Sequence, residues 1–92
     1  MIEETYFVMT FDSTHYAIKA EKVLKEEKID IRTIPTPREI TASCGLAIKF
    51  SEDLLEDVKR TVEEKKLNRS GIYKIMRNKN GRTAERINVE TL

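Results

Sequence analysis

One pattern constrains this chain more than any other, because it occurs twice: apolar residues at every second position, followed at once by an apolar stripe at helical spacing. In the first instance Phe7, Met9 and Phe11 alternate, and Tyr16, Ala17, Ala20, Val23 and Leu24 then line one helix face while Lys19, Glu21, Lys22 and Lys25 fall outside it. In the second, Leu46, Ile48 and Phe50 alternate, and Leu54, Leu55, Val58 and Val62 make the stripe. A period of two marks a half-buried strand and a period of 3.6 an amphipathic helix. Such a chain must lay two helices against a sheet.

Punctuation between these stretches supplies the rest. Asp12 or Ser13 offers an N-cap for the first helix, which runs to about residue 27. Residues 29–34 alternate again and predict a second strand, stopped by Pro35 and Pro37 because proline lacks a ladder donor and biases its neighbour toward extended geometry. Ser51 caps the second helix, with Glu52 and Asp53 at its positive end and Lys65 and Lys66 at its negative end. A fourth strand is expected over 71–76, and Asn80-Gly81 is a two-residue hairpin signal leading into residues 82–89, where the tail can add a short strand.

The order strand-helix-strand-strand-helix-strand predicts an α+β fold, a ferredoxin-like βαββαβ sandwich with both helices on one face of an antiparallel sheet. Residues 1–78 would form the single domain and 79–92 a C-terminal hairpin or tail. Right-handed crossovers would then bring residues 12–15, 35–45 and 65–69 to one edge of the sheet.

With 92 residues there is room for one modest core. The 17 Lys and Arg nearly balance 16 Asp and Glu, so no overall field draws the chain to nucleic acid or acidic lipid, and any electrostatic site must be local. The chain opens on Met1-Ile2-Glu3-Glu4, with acids where an export signal carries cations, and its apolar runs are far short of a membrane span. A single Cys forms no internal disulfide, and with one His it cannot complete a zinc site. The expectation is a cytoplasmic protein in a reducing compartment, with no cofactor and no metal.

The densest chemistry lies in the connection over residues 35–45, longer than an ordinary hairpin loop. Two prolines stiffen it, Thr36, Thr41 and Ser43 bring hydroxyls, Arg38 and Glu39 bring charge, and Cys44 is followed by Gly45, which lets a group approach the backbone. A thiolate at Cys44 would need a cation or a helix N-terminus to form near neutral pH, and Arg38 together with Ser13, Thr14 and His15 at the start of helix one would supply both. Chemistry alone leaves a second reading equally open. Free Cys is often buried, and Cys44 shares the strand parity of Leu46, Ile48 and Phe50, so one more residue of strand would turn it into the core. Taken singly, His15 reads as an exposed first-turn residue and Arg38 as a surface ion-pair former.

Residues 11–21, Phe-Asp-Ser-Thr-His-Tyr-Ala-Ile-Lys-Ala-Glu, and residues 34–45, with Pro-Thr-Pro-Arg and Ser-Cys-Gly at this spacing, together resemble the putative selenium/sulfur carrier protein-like family over about residues 5–76. The resemblance implies a small prokaryotic protein that carries sulfur or selenium on Cys44 as a persulfide or selenosulfide. The donor would be a protein such as a cysteine desulfurase, and delivery would be to an acceptor protein. It further implies His15 and Arg38 as helpers of the thiol, with Ser13, Thr14, Thr41, Ser43 and Gly45 around the bound group. With no second cysteine to resolve the adduct, this describes a relay rather than a turnover enzyme.

Three other readings compete. An RNA-recognition module is opposed by Leu46 and Ile48 where such sheets use aromatic rings. A small regulatory or anion-binding ferredoxin-like domain would use the same edge without covalent chemistry, so Cys44→Ser would keep its ligand. Finally, Tyr6, Val8, Thr10 and Ala47 would leave the helix-free sheet face partly apolar and open to pairing as a homodimer.

Overall fold

The computed structural model describes residues 4–38, 40, 45–67 and 69–87. Among them the elements run β1 (Glu4–Thr10), α1 (Thr14–Glu26), β2 (Arg32–Pro35), β3 (Leu46–Ser51), a 3-10 turn (Glu52–Leu54), α2 (Leu55–Glu64), β4 (Gly71–Asn78) and β5 (Gly81–Ile87). The fold is α+β, one antiparallel five-stranded sheet in the order β2-β3-β1-β4-β5 with two helices.

The helix-side core is the one the alternation predicts. Phe7, Met9, Phe11, Ile48, Phe50 and Ile72 from the strand region pack with Ala17, Ala20, Leu24, Val58 and Val62 from the helices. Phe7 and Phe50, register partners on β1 and β3, stack with ring centroids 5.8 Å apart. Thr33 on β2 donates its hydroxyl to the Glu21 carboxylate at 2.7 Å, joining the edge strand to α1.

Five local readings are corrected. The second strand starts at Arg32 rather than Ile29. Lys28 takes φ 63, its amide bonds the Lys25 carbonyl and the Ile29 amide bonds the Leu24 carbonyl, so Ile29 is spent on closing the helix, and it buries its side chain at 7% exposure. Pro35 is the last residue of that strand, tolerated because β2 is an edge and needs no donor on its outer side. Ser51 does not cap a backbone amide; its hydroxyl bonds the Asp53 carboxylate and the helix begins through the 3-10 turn. In the last hairpin the loop is Lys79-Asn80, closed by the pair Asn78 and Gly81, with the Asn80 amide donating to the Asn78 side chain at 2.8 Å. Gly81 holds φ 135, a conformation that residues with a Cβ rarely adopt, and the turn lies one residue before the Asn-Gly expectation. Beyond it β5 is a full seven-residue strand, not a short one.

The helix-free face also differs from expectation. Tyr6, Val8, Thr10 and Ala47 are 7%, 0%, 1% and 0% exposed, so within one chain this face is covered, not open. Ile40, from the connection between β2 and β3, packs there with Tyr6, Val8, Ala47 and Ile75, against which Ile34, Tyr73 and Ala84 are partly buried.

Candidate functional site

The connection carrying Cys44 has a closed neck. Past the last ladder pair, Pro35 with Leu46, the Thr36 amide donates to the Gly45 carbonyl at 2.9 Å. This bond holds the two ends of the connection together just before β3 begins at Leu46, with Gly45 exposed. A Cβ placed on Gly45 would meet nothing within 4 Å, so that backbone lies open to approach.

From the neck the chain turns onto the helix-free face. Pro37 is buried, the Ile40 amide donates to the Pro37 carbonyl at 3.1 Å, and Ile40 is 5% exposed over the sheet. Burying an isoleucine contributes about 2 kcal/mol, which offsets the ordering of only one or two residues. Pro35 and Pro37 lower that cost because their φ is fixed before folding. Arg38, between the two anchors, is exposed. Glu39 and residues 41–44, with Thr41, Ser43 and Cys44 among them, lie outside the described residues.

Register shows what else meets this edge. Thr10 at the end of β1 pairs with Ala47 on one side and Gly71 on the other, so the neck of the connection, the turn into α1 and the turn out of α2 end on the same side of the sheet. The Ser70 amide donates to the Thr10 carbonyl at 2.7 Å and the Thr10 hydroxyl to the Gly71 carbonyl at 3.3 Å, knitting β1 to the turn that precedes β4. Arg86 reaches over from β5 and donates to the Ser70 carbonyl at 3.1 Å.

At the start of α1, Ser13 is the N-cap, its Oγ accepting from the Tyr16 amide at 3.5 Å. Thr14 opens the helix, and His15 is exposed, its ring edge-on to Tyr16 with centroids 5.9 Å apart. The helix lies on one face of the sheet and the Ile40 anchor on the other, so Ser13, Thr14 and His15 share the edge with the connection but approach it from the opposite side. Among the described residues no group of three or more His, Cys, Asp and Glu could hold a metal ion. None of the described helices is long and apolar enough to cross a membrane.

Sequence reasoning read Pro37 as a stop and a stiffener without its burial, and passed over Ile40. The signal of Ile40 was present: an isolated large apolar residue inside a polar connection must find an apolar surface, and among the described residues Tyr6, Val8 and Ala47 offer one that the helices leave uncovered.

A search of curated proteins and a search of solved structures each returned no match. Comparison with family models returned one over residues 6–74, which runs from within β1 through the first half of β4 and takes in both helices and the whole connection between β2 and β3. That span is well over half of the 92 residues, and the chain therefore belongs to the family described as Putative Se/S carrier protein-like.

Proposed function

We propose that this protein is a sulfur or selenium carrier that holds the atom on Cys44. The observation that carries the reading is the family match across residues 6–74, which includes the only cysteine of the chain. Loading begins when the Cys44 thiolate attacks the outer sulfur of a donor persulfide, as formed on a cysteine desulfurase. The new S–S bond forms at Cys44, the donor's S–S bond breaks, and the donor leaves as a thiolate that takes up the proton. Delivery is the same exchange in reverse sense: an acceptor thiolate takes the outer sulfur and Cys44 returns as thiolate. Selenium would travel as the corresponding selenosulfide. No net oxidation occurs, and no second cysteine is required, which suits a carrier rather than a turnover enzyme.

In this reading Arg38 and the α1 amides near Ser13 and Thr14 stabilise the thiolate and the outer anion, His15 handles the proton, and Thr41, Ser43 and Gly45 surround the bound atom. The exposure of Arg38 and His15, and the edge shared by the connection and the start of α1, support these assignments. A cytoplasmic setting follows from a free thiol that must stay reduced. We read the scaffold as ferredoxin-like, with β1 to β4 and the helices forming the split βαβ pair and β5 appended at the edge, supported by the strand order β2-β3-β1-β4.

Intact mass spectrometry after incubation with a cysteine desulfurase and cysteine tests the proposal. One added sulfur, removed by reductant and absent in Cys44→Ser, is expected. A thiol that stays unmodified and resists alkylation until the protein unfolds would sink it, as would an anion ligand retained unchanged in Cys44→Ser with no adduct on the wild type.

A further inference from the structure

The two faces of the sheet carry unlike charge. Cross-strand partners share a face and successive residues alternate between faces, so register assigns each strand residue to a side. Among the described strand residues, the charged positions on the helix-free side are Arg32 on β2, Lys49 on β3, Glu4 on β1, Arg77 on β4, and Arg82 and Arg86 on β5. Five cations share that side with one carboxylate, and Glu4 is spanned by Lys49 and Arg77 at 3.8 Å each. The helical layer is the reverse, with eight acids against five bases along α1, the 3-10 turn and α2. A net charge of +1 thus hides a polarised molecule.

The cations surround an apolar middle. Ile40 covers Tyr6 and Val8 there, with Ile34 and Tyr73 half-buried beside it, while Arg32, Arg77, Arg82 and Arg86 are exposed around them. From β2 to β5 the patch spans four strand spacings, about 19 Å. The apolar middle is buried beneath Ile40, so what the face presents around it is a rim of exposed arginines, to which an acidic protein surface is complementary. Tyr6 is 7% exposed and lies under the Lys49 ammonium, 4.3 Å from the ring centroid, so the face offers no row of rings on which unpaired bases could stack. A second copy presenting the same face would set like charges against each other.

We infer that the helix-free face docks an acidic protein surface. The cations steer the encounter and set its register. The inference does not depend on thiol chemistry. It places the partner on the face where the Cys44-bearing connection is anchored.

Fluorescence anisotropy with labelled poly-L-glutamate is the direct test, with an oligothymidine of matched charge as comparison. Wild type should bind the polypeptide at low salt and weaken as salt rises. Arg32→Glu with Arg77→Glu should lose about tenfold or more in affinity, and Arg32→Gln with Arg77→Gln should lose less in the same direction, which guards against a misfolded variant. Lys19→Glu with Lys22→Glu on α1 changes net charge equally and should stay within about twofold of wild type, as should Cys44→Ser. Equal losses in the sheet and helix variants, no binding by wild type, or tighter binding to oligothymidine would each overturn the inference. Because Cys44→Ser is included, these outcomes are separate from those that decide the carrier reading.

Discussion

Ile40 leaves a polar connection to sit at 5% exposure against Tyr6, Val8, Ala47 and Ile75. Ile40→Ala should therefore lower stability by about 2 kcal/mol, at the modest end for an apolar truncation because the connection can settle inward. Urea denaturation would read the loss, and no change in midpoint would show that Ile40 does not anchor the segment. Glu21 is a second point where one residue carries a measurable load. The hydroxyl of Thr33, and then the ammonium of Lys25, hold its carboxyl below the ordinary value of 4.5. A group whose folded pKa lies below its unfolded one stabilises the fold above the unfolded value and loses that contribution as pH falls through the folded value. Thr33→Val should accordingly cost stability near pH 7, with the deficit shrinking as pH falls below the ordinary carboxyl value and both proteins protonate Glu21. An undiminished deficit at the acid end would assign the loss to packing instead.

The two helices end by the same device. Lys28 and Lys66 stand at φ 63 and 52, the amides that follow them bond Leu24 and Val62 five residues back, and Ile29 and Leu67 fold in at 7% and 4% exposure. Glycine is the ordinary occupant of such a position, since a Cβ in the left-handed region costs about 1 to 2 kcal/mol. Lys28→Gly and Lys66→Gly should each raise stability by up to about 1 kcal/mol after the entropy that glycine adds to the unfolded chain. Lys22→Gly, inside α1, should lower it by about 1 kcal/mol, and thermal melts of the three variants separate a helix-end effect from a general response to glycine. Lysine at both positions brings a cation to the negative helix end, where it offsets part of the strain. This is also why the sequence did not announce the stops: the cations were legible as dipole partners, but nothing in Glu-Lys-Ile or Lys-Lys-Leu marks a left-handed residue.

For the whole molecule, β5 shows how much an edge matters. It pairs along β4 from Asn78 to Ile72 and brings Ala84 and Ile87 against the two sides of the sheet, although the family match ends at residue 74. Ending the chain after Asn78 would bare the whole of β4 as a new edge and uncover Ile75. The truncated protein should keep its helical circular dichroism but self-associate in size-exclusion chromatography, since an exposed strand edge recruits another. A monodisperse monomer of unchanged stability would show that β5 is dispensable.

Strands, helices and the helix-side core were legible at the level of single segments, because the alternation of Phe7, Met9 and Phe11 and the stripe of Ala17, Ala20 and Leu24 are set by backbone geometry that any such segment must obey. The sequence alone also marked out the connection from Pro35 to Gly45 as the chemical stretch, through its prolines, its length and the lone Cys44. Where that connection lies was decided only by tertiary structure. Ile40 buries its side chain on Tyr6 and Val8, a place that exists only once β1 and β3 are side by side. The same holds for charge. Arg32, Lys49, Arg77 and Arg86 are scattered among acids along the chain, and they become one face only when register aligns four strands, because parity is a property of each strand but a face belongs to the assembled sheet.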